Sequence, residues 1–414
     1  MKIAIYEPDP RVCGPLSWAG HLRAGFEALG HEVKQVSSTK SGRRRKGWGT
    51  PGWGGHWWSS GPDIVCKDEA LGKVLADFDF IVLPEPKSPA EDKMAVKEQR
   101  WPVYYLALWE SRTPFVTALH GNDYVVKTAP FMEHVLALPN FTGKLMSHSD
   151  RSRKSNPFVE AMPYFSVPLP YKPVRPIGHD FPKNTTVGTT GRFMFNKGSH
   201  LVAMAGNQLR SDAIVEIWGS CSTGLGTNAT FAVYEAMLEY AAQYKRYGDQ
   251  DEKRAAGYDK VTEHGNTIRP YHWDIRTQGG ALVRYLGNYT DPVAVASRLG
   301  VHVNITGFKY SGGLVEFSTL EAFDAGSLCI TPDHVSDDRF RTSRIGIVNP
   351  PGSVGSTQKN MGVVDQVAQA INPLLDFAVS DNPAHREIVE HNRRMIREIN
   401  DPAMIAARVL EESL

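Results

Sequence analysis

Two stretches in the second half of the chain combine residue types that handle phosphate and sugar. Thr190-Gly191-Arg192-Phe-Met-Phe-Asn196-Lys197-Gly198 follows a strand pattern and precedes a helical one, so a guanidinium and an ammonium five residues apart share one turn. On the carboxyl edge of a parallel sheet, where ligands of open α/β sheets bind, such a pair can neutralise a diphosphate, including the charge that grows as it departs. The alternative is two solvated bases on a loop. Further on, Tyr310-Ser-Gly312-Gly313-Leu314-Val-Glu316 leads into a helix carrying Glu321 and Asp324. A glycine-rich turn offers backbone N–H groups to a phosphate or sugar, and a carboxylate one turn into the helix can accept from sugar hydroxyls. Such carboxylates are often plain solvated helix charges, but Leu320, Ala322 and Phe323 around Glu321 favour partial burial.

The first half holds a different chemistry. Between Ser37 and Gly61 the chain reads Lys40-Ser-Gly-Arg43-Arg44-Arg45-Lys46-Gly-Trp48, then Trp53, His56, Trp57 and Trp58 among glycines. Interleaved cations and indoles suit nucleic acid: the charges answer phosphates and the rings stack on, or wedge between, bases. A solvated loop, or an aromatic platform for a saccharide, are the other readings. A second basic cluster is Arg151-Ser-Arg153-Lys154. After the first strand pattern, Cys13-Gly14-Pro15 opens a helix, a turn that brings backbone near an anion or serves as structure alone. Thr117-Ala-Leu-His120-Gly-Asn-Asp123 places a histidine at a strand end, which by itself is more often structural.

Positioning these groups requires two βαβ series. Strand patterns at Lys2–Tyr6, Glu32–Val36, Phe78–Leu83, Phe115–Leu119 and Lys144–Ser147 precede a stiff proline-rich connector, Pro168 to Pro176. A second set follows at Thr186–Thr190, Ala213–Trp218, Leu282–Leu286, Val301–Ile305, Leu328–Thr331 and Gly346–Val348. The expected organisation is two Rossmann-like α/β domains, 1–170 and 171–400, with an insertion at 222–280 whose Phe231–Tyr247 part has helical spacing. A final helix at 401–414 either completes the second domain or crosses back to the first.

The 414 residues carry 46 Lys and Arg against 45 Asp and Glu, but unevenly: Met1 to Asp180 has 23 against 19 and the remainder 23 against 26. With 41% hydrophobic and 22% charged residues the composition is globular, which excludes disordered, collagenous and coiled-coil classes. No uninterrupted apolar run approaches a membrane span, and Cys13, Cys66, Cys221 and Cys329 lack the spacing of a zinc or redox motif. A strand pattern stands where a secretory leader would need a longer apolar stretch, so the expected location is the cytoplasm.

Taken in order, strand–Gly14–helix–Gly30-His-Glu-Val, Gly191-Arg192-x₄-Lys197-Gly198, Val283-Arg-Tyr285-Leu-Gly287 and Glu321-Ala-x-x-Ala-Gly326 resemble the retaining GT-B glycosyltransferases over nearly the whole chain. The usual Glu-x₇-Glu pair is missing, because Gly313 stands at its first position; Glu316-x₄-Glu321 is instead similar to the DNA α-glucosyltransferases of T-even bacteriophages, as are Cys13-Gly14 and Ser147-His148-Ser149-Asp150. The resemblance implies a GT-B fold with a central cleft, a nucleotide-sugar donor, UDP-glucose above all, and no metal. It also implies a hydroxymethylated pyrimidine in DNA as acceptor, its base flipped from the stack. In that frame Arg192 and Lys197 bind the diphosphate; Gly14, Tyr285, Gly312, Gly313, Leu314, Glu316 and Glu321 complete the donor site; His120 and Asp123 stand near the reacting carbon. Arg43, Arg44, Arg45, Lys46, Trp48, Trp53, Trp57, Trp58, Arg151, Arg153 and Lys154 would hold DNA, in host cytoplasm if the chain is phage-encoded. Other acceptors (polysaccharide, lipid-linked or small molecule) remain the alternative, and a non-catalytic DNA binder is a further class. A sugar-nucleotide epimerase would need Tyr-x₃-Lys, whereas Tyr105 and Tyr240 are followed at that spacing by Trp109 and Tyr244.

Overall fold

A computed structural model of the chain describes residues 1–6, 14–38, 62–84, 103–119, 143–148, 163–191, 195–219, 261–263, 266–268, 273–277, 279–287, 289, 291–311, 313–335, 337–347, 350 and 357–414. In chain order the elements are β1 (Lys2–Tyr6), α1 (Gly14–Ala28), β2 (Glu32–Ser38), β3 (Ile64–Cys66), α2 (Leu71–Ala76), β4 (Phe80–Leu83), α3 (Val103–Ser111), β5 (Phe115–Leu119), β6 (Gly143–Ser147) and β7 (Tyr164–Ser166). There follow β8 (Thr186–Thr190), α4 (Ser199–Ala205), β9 (Ile214–Trp218), β10 (Val261–Glu263), β11 (Asn266–Ile268), β12 (Trp273–Arg276), β13 (Leu282–Gly287), α5 (Pro292–Ala296) and β14 (Val301–Val303). The chain ends with α6 (Phe308–Ser311), α7 (Phe317–Ala325), β15 (Leu328–Pro332), β16 (Ser343–Ile345), α8 (Thr357–Val379), α9 (Pro383–Ile399) and α10 (Pro402–Ser413).

The chain divides into two compact units, one of residues 1–172, 309–314 and 397–414, the other of 173–308 and 315–396. The first unit is built on a seven-stranded sheet ordered β3-β2-β1-β4-β5-β6-β7, with every pairing parallel. Its central strands are short apolar runs, Ile-Ala-Ile-Tyr in β1 and Phe-Ile-Val-Leu in β4, buried on both faces as parallel strands under helices must be. The C-terminal helix α10 lies against α1 so closely that a Cβ on Gly25 would stand 2.0 Å from the Pro402 carbonyl oxygen. Ser38, Leu119 and His148, the last described residues before the segments at 39–61, 120–142 and 149–162, share one edge of this sheet.

The second unit repeats the plan. Its sheet runs β12-β13-β9-β8-β14-β15-β16, and only β12 is antiparallel. That strand corrects the expected insertion at 222–280, because Trp273 to Arg276 pairs with Tyr285 to Leu282 and belongs to the sheet. The expected helix at Phe231–Tyr247 lies outside the described residues. Two further corrections have local causes. The Val301–Ile305 strand stops at Val303, where the Asn304 side chain accepts from the Thr306 N–H at 3.0 Å and turns the backbone out of the ladder. The expected Gly346–Val348 strand is replaced by Ser343–Ile345, which pairs with Ile330 to Pro332 at the sheet edge.

A buried arginine ties the connector to the second unit. Arg393 is fully buried and donates to the carbonyls of Ile177, His179, Asp180, Asp324 and Ala325, while the Asp324 carboxylate accepts from the N–H groups of Val174 and Arg175 at 2.8 and 3.1 Å. This cation's donors are spent on backbone, which satisfies it without water. Among the described residues, no helix is long and apolar enough to cross a membrane.

Candidate active site

In the second sheet β8 and β14 are neighbours, but the chain continues from β8 towards β9 and β13, and from β14 towards β15 and β16. The connections after β8 and β14 therefore diverge, and a crevice opens at the carboxyl edge between them. Thr190 ends β8, and Asn304 and Thr306 follow β14; all three are buried.

Lys197 reaches this edge from the single turn that follows β8. Gly198 makes the placement possible, with φ +69° and no room for a side chain: a Cβ there would lie 2.4 Å from Ile305 Cγ1. Gly198→Ala is expected to cost about 1–3 kcal/mol, through left-handed strain and overpacking together, measurable by chemical denaturation. Lys197 Nζ stands 2.5 Å from Glu316 Oε1. The other Glu316 oxygen accepts from Asn304 Nδ2 at 3.0 Å and Thr306 Oγ1 at 2.8 Å. Burial alone would raise the Glu316 carboxyl; the Lys197 charge and the bonds from Lys197, Thr306 and Asn304 outweigh it and hold the pKa below its ordinary value. Glu316 is thus an ionised group fixed at the start of α7, where its backbone caps the helix but its side chain does not.

Glu321 behaves oppositely. Burial first, then the charges of Asp291 and Asp324, push its carboxyl up to about 8. Read from sequence, this residue accepts from sugar hydroxyls; in the structure it keeps its proton at neutral pH and can donate as well. The Glu321 charge also acts on Tyr289, whose phenol is raised above its ordinary pKa by burial first and by that charge second. Thr190 Oγ1 lies 3.0 Å from Nε2 of the fully buried His302.

The structure brings Lys197, Glu316 and Glu321 to one sheet edge and adds Thr190, Tyr289, His302, Asn304 and Thr306. Thr306 carried a signal in the sequence, as a polar residue directly after a strand pattern, whereas Asn304 lay inside the Val301–Ile305 pattern. Gly313, at φ +82°, and Leu314 form a turn organised by Ser311, whose hydroxyl and carbonyl accept from their N–H groups at 3.3 and 3.1 Å, and they group with the first unit. Tyr285 is placed in the core, 1% exposed, with its hydroxyl donating to the Gly219 carbonyl at 2.6 Å, so it acts there as packing for the end of β9. Gly14 opens α1 after β1. Arg192, Gly312, His120 and Asp123 lie outside the described residues, as do Arg43, Arg44, Arg45, Lys46, Trp48, Trp53, Trp57, Trp58, Arg151, Arg153 and Lys154.

Two Rossmann-like sheets with ligand edges of this kind define the GT-B fold, and solved structures share it. An alpha-glucosyltransferase in complex with UDP-glucose and DNA containing an abasic site matches with a TM-score of 0.62 and 13% identity, over 100% of this chain and 99% of that one. The alpha-glucosyltransferase in complex with UDP and a 13-mer DNA containing an HMU base gives 0.58 and 13%, with the same coverage. HepE (Alr3699) of Anabaena in complex with UDP-glucose gives 0.58 and 11%, over 99% of this chain and 98% of that one. No protein-family model and no curated protein sequence matches the chain.

Proposed function

We propose that this chain is a retaining glycosyltransferase that moves glucose from UDP-glucose onto a hydroxymethylated pyrimidine in DNA. The observation that carries it is the Lys197–Glu316 pair, with Glu321 one helical turn on, at the reversal of a sheet whose fold is shared with proteins solved with UDP-glucose. Lys197 and Arg192 hold the diphosphate and stabilise it as the bond to the anomeric carbon breaks. The acceptor hydroxyl attacks that carbon from the same face, and its proton passes to the departing phosphate oxygen. With two cations in that role the reaction calls on no metal. Gly312, Gly313, Leu314 and Glu316 address the sugar and phosphate, Glu321 the ribose, and His120 with Asp123 the cationic sugar or the acceptor.

DNA as acceptor is supported by the basic and Trp-rich sequence between Ser37 and Gly61, by Arg151, Arg153 and Lys154, and by the likeness to structures that contain DNA. Those sequence segments begin after Ser38 and His148, and the His120 segment begins after Leu119, at one edge of the first sheet. The test is to incubate the chain with UDP-glucose and other nucleotide sugars, together with DNA containing hydroxymethylcytosine or hydroxymethyluracil, and to weigh the released nucleosides. One added hexosyl mass is expected; unchanged nucleosides on both DNAs remove this acceptor. Duplex affinity should fall steeply with salt, and Arg43, Arg44 and Arg45 replaced by Ala should flatten the log–log slope by about 0.9 for each phosphate no longer neutralised. A carbohydrate or lipid-linked acceptor is the second reading, favoured by the comparable likeness to HepE with UDP-glucose; DNA binding that is weak and insensitive to salt would support it.

A further inference from the structure

We infer that Asn304 is a positioning residue for the transferred sugar: together with Thr306 it clamps one oxygen of Glu316, which leaves the other, beside Lys197, to accept from a sugar hydroxyl. This deepens the proposed donor site and rests on it.

The clamp is fixed by its hydrogen bonds. Asn304 follows β14 and is buried, and its backbone N–H is spent on the Ile330 carbonyl at 3.0 Å. Its side-chain oxygen accepts from the Thr306 N–H at 3.0 Å; a backbone N–H can only donate, so this bond settles which end of the amide is which. The amide nitrogen therefore faces α7, where it donates to Glu316 Oε2 at 3.0 Å and Thr319 Oγ1 at 2.9 Å, with Ser318 Oγ at 3.3 Å. Thr306 has one hydroxyl hydrogen and two acceptors in reach, Asn304 Oδ1 at 2.9 Å and Glu316 Oε2 at 2.8 Å. The ionised carboxylate is the stronger acceptor, so the hydrogen goes to Glu316. Oε2 thus receives one N–H and one O–H, which fill its two lone pairs.

The other oxygen is placed differently. Among the described residues its partner is Lys197 Nζ at 2.5 Å, which takes one of its two lone pairs. The side chains of Lys197 and Glu316 keep 28% and 16% of their surface open, whereas Asn304 and Thr306 are 7% and 2% exposed. The clamp is therefore behind the carboxylate and the ion pair in front. An ammonium has three hydrogens, so Lys197 can hold Oε1 and a diphosphate oxygen together. That sets a hydroxyl acceptor next to the bond between phosphate and sugar. The start of α7 points the same way. Position 316 is the N-cap, where a short polar side chain would accept from the helix N–H groups. Glu316 makes no such bond, and its carboxylate is turned to Asn304, Thr306 and Lys197 instead.

Calorimetry with UDP-glucose and with UDP, and thermal unfolding alongside, tests the clamp, because only the first ligand carries the sugar. Asn304→Ser keeps an oxygen for the Thr306 N–H but is too short to reach Glu316; it should weaken UDP-glucose about tenfold and leave UDP within about twofold. Thr306→Val, which removes only a hydroxyl, should show the same selectivity and decides the matter if Asn304→Ser does not fold. Thr306→Ser should restore the ratio of the unaltered chain. In a Glu316→Ala background Asn304→Ser should cost UDP-glucose nothing further, since it acts through that carboxylate. Equal losses for the two ligands, unchanged UDP-glucose affinity in the folded variants, or additive losses in the Glu316→Ala background overturn the inference and leave Asn304 to the turn alone. In each of those cases UDP binding by the unaltered chain keeps the donor site standing; an unaltered chain that binds neither ligand overturns both.

Discussion

Replacing Lys197 by Ala is expected to lower kcat/KM for transfer by about 10²–10³-fold, the range found when one preorganised charge is removed from a developing anion. Two losses combine. The departing diphosphate loses a cation, and Glu316, only 16% exposed at its side chain, loses the group that keeps it ionised. Burial, the largest influence on that carboxyl, then acts unopposed except by Asn304 and Thr306. The companion variant Glu316→Gln separates the two. It releases Lys197 from a pre-existing pair, so UDP should bind at least as tightly as in the unaltered chain, while Lys197→Ala binds UDP more weakly. A Lys197→Ala protein that retains wild-type kcat/KM, measured by release of UDP, would remove the diphosphate role.

The sequence carried this site unevenly, for reasons that lie in the residues. Lys197 and the two glutamates were legible because each sits in a local context with a chemical meaning: a cation on a glycine turn after a strand, and carboxylates at the start of a helix. Their opposite protonation states were not. Glu316 and Glu321 are alike in type and separated by five residues; what divides them is Lys197, 119 positions away in the chain, against Asp291 and Asp324. The His302–Thr190 contact was equally hidden, since its members come from two strands that only the parallel pairing of β14 with β8 brings together. Tyr285 shows the reverse error. A tyrosine in a strand motif suggests a ligand contact, yet alternation along β13 turns its ring into the core. The long apolar strands were readable from run length alone. β3 and β7, three residues each, and the antiparallel β12 carry too little pattern to stand out.

Acid should destabilise the protein steeply below pH 6.5, and four buried histidines set the window. Burial drives all of them down: His21 to about 3, with Lys172 adding to it, and His148, His302 and His385 to about 4, Lys183 also acting on His385. In the unfolded chain each titrates near 6.5. Between those values the unfolded state binds more protons than the folded one, so the stability present above pH 6.5 is lost as pH falls towards 4, at up to about 1.4 kcal/mol per pH unit for each histidine. Glu321 acts with the opposite sign. Its folded pKa is raised to about 8, so stability increases as pH falls from 8 to its unfolded value near 4.5, offsetting about one histidine within the shared range. The remaining slope, of order 4 kcal/mol per pH unit at its steepest, would exhaust a typical domain stability within two or three units. The optimum therefore lies near pH 6.5–7. His385 isolates one contribution: its ring nitrogens have no hydrogen-bond partner, and it packs on Phe181 and Phe377 at centroid distances of 4.5 and 5.5 Å. His385→Phe fits that aromatic setting and carries no proton to bind in either state. Urea unfolding between pH 4.5 and 7.5 should show the variant less acid-sensitive by about 1.4 kcal/mol per pH unit below 6.5. Parallel profiles for the two proteins would mean that His385 is protonated alike in both states, and that burial is not what makes the fold sensitive to acid.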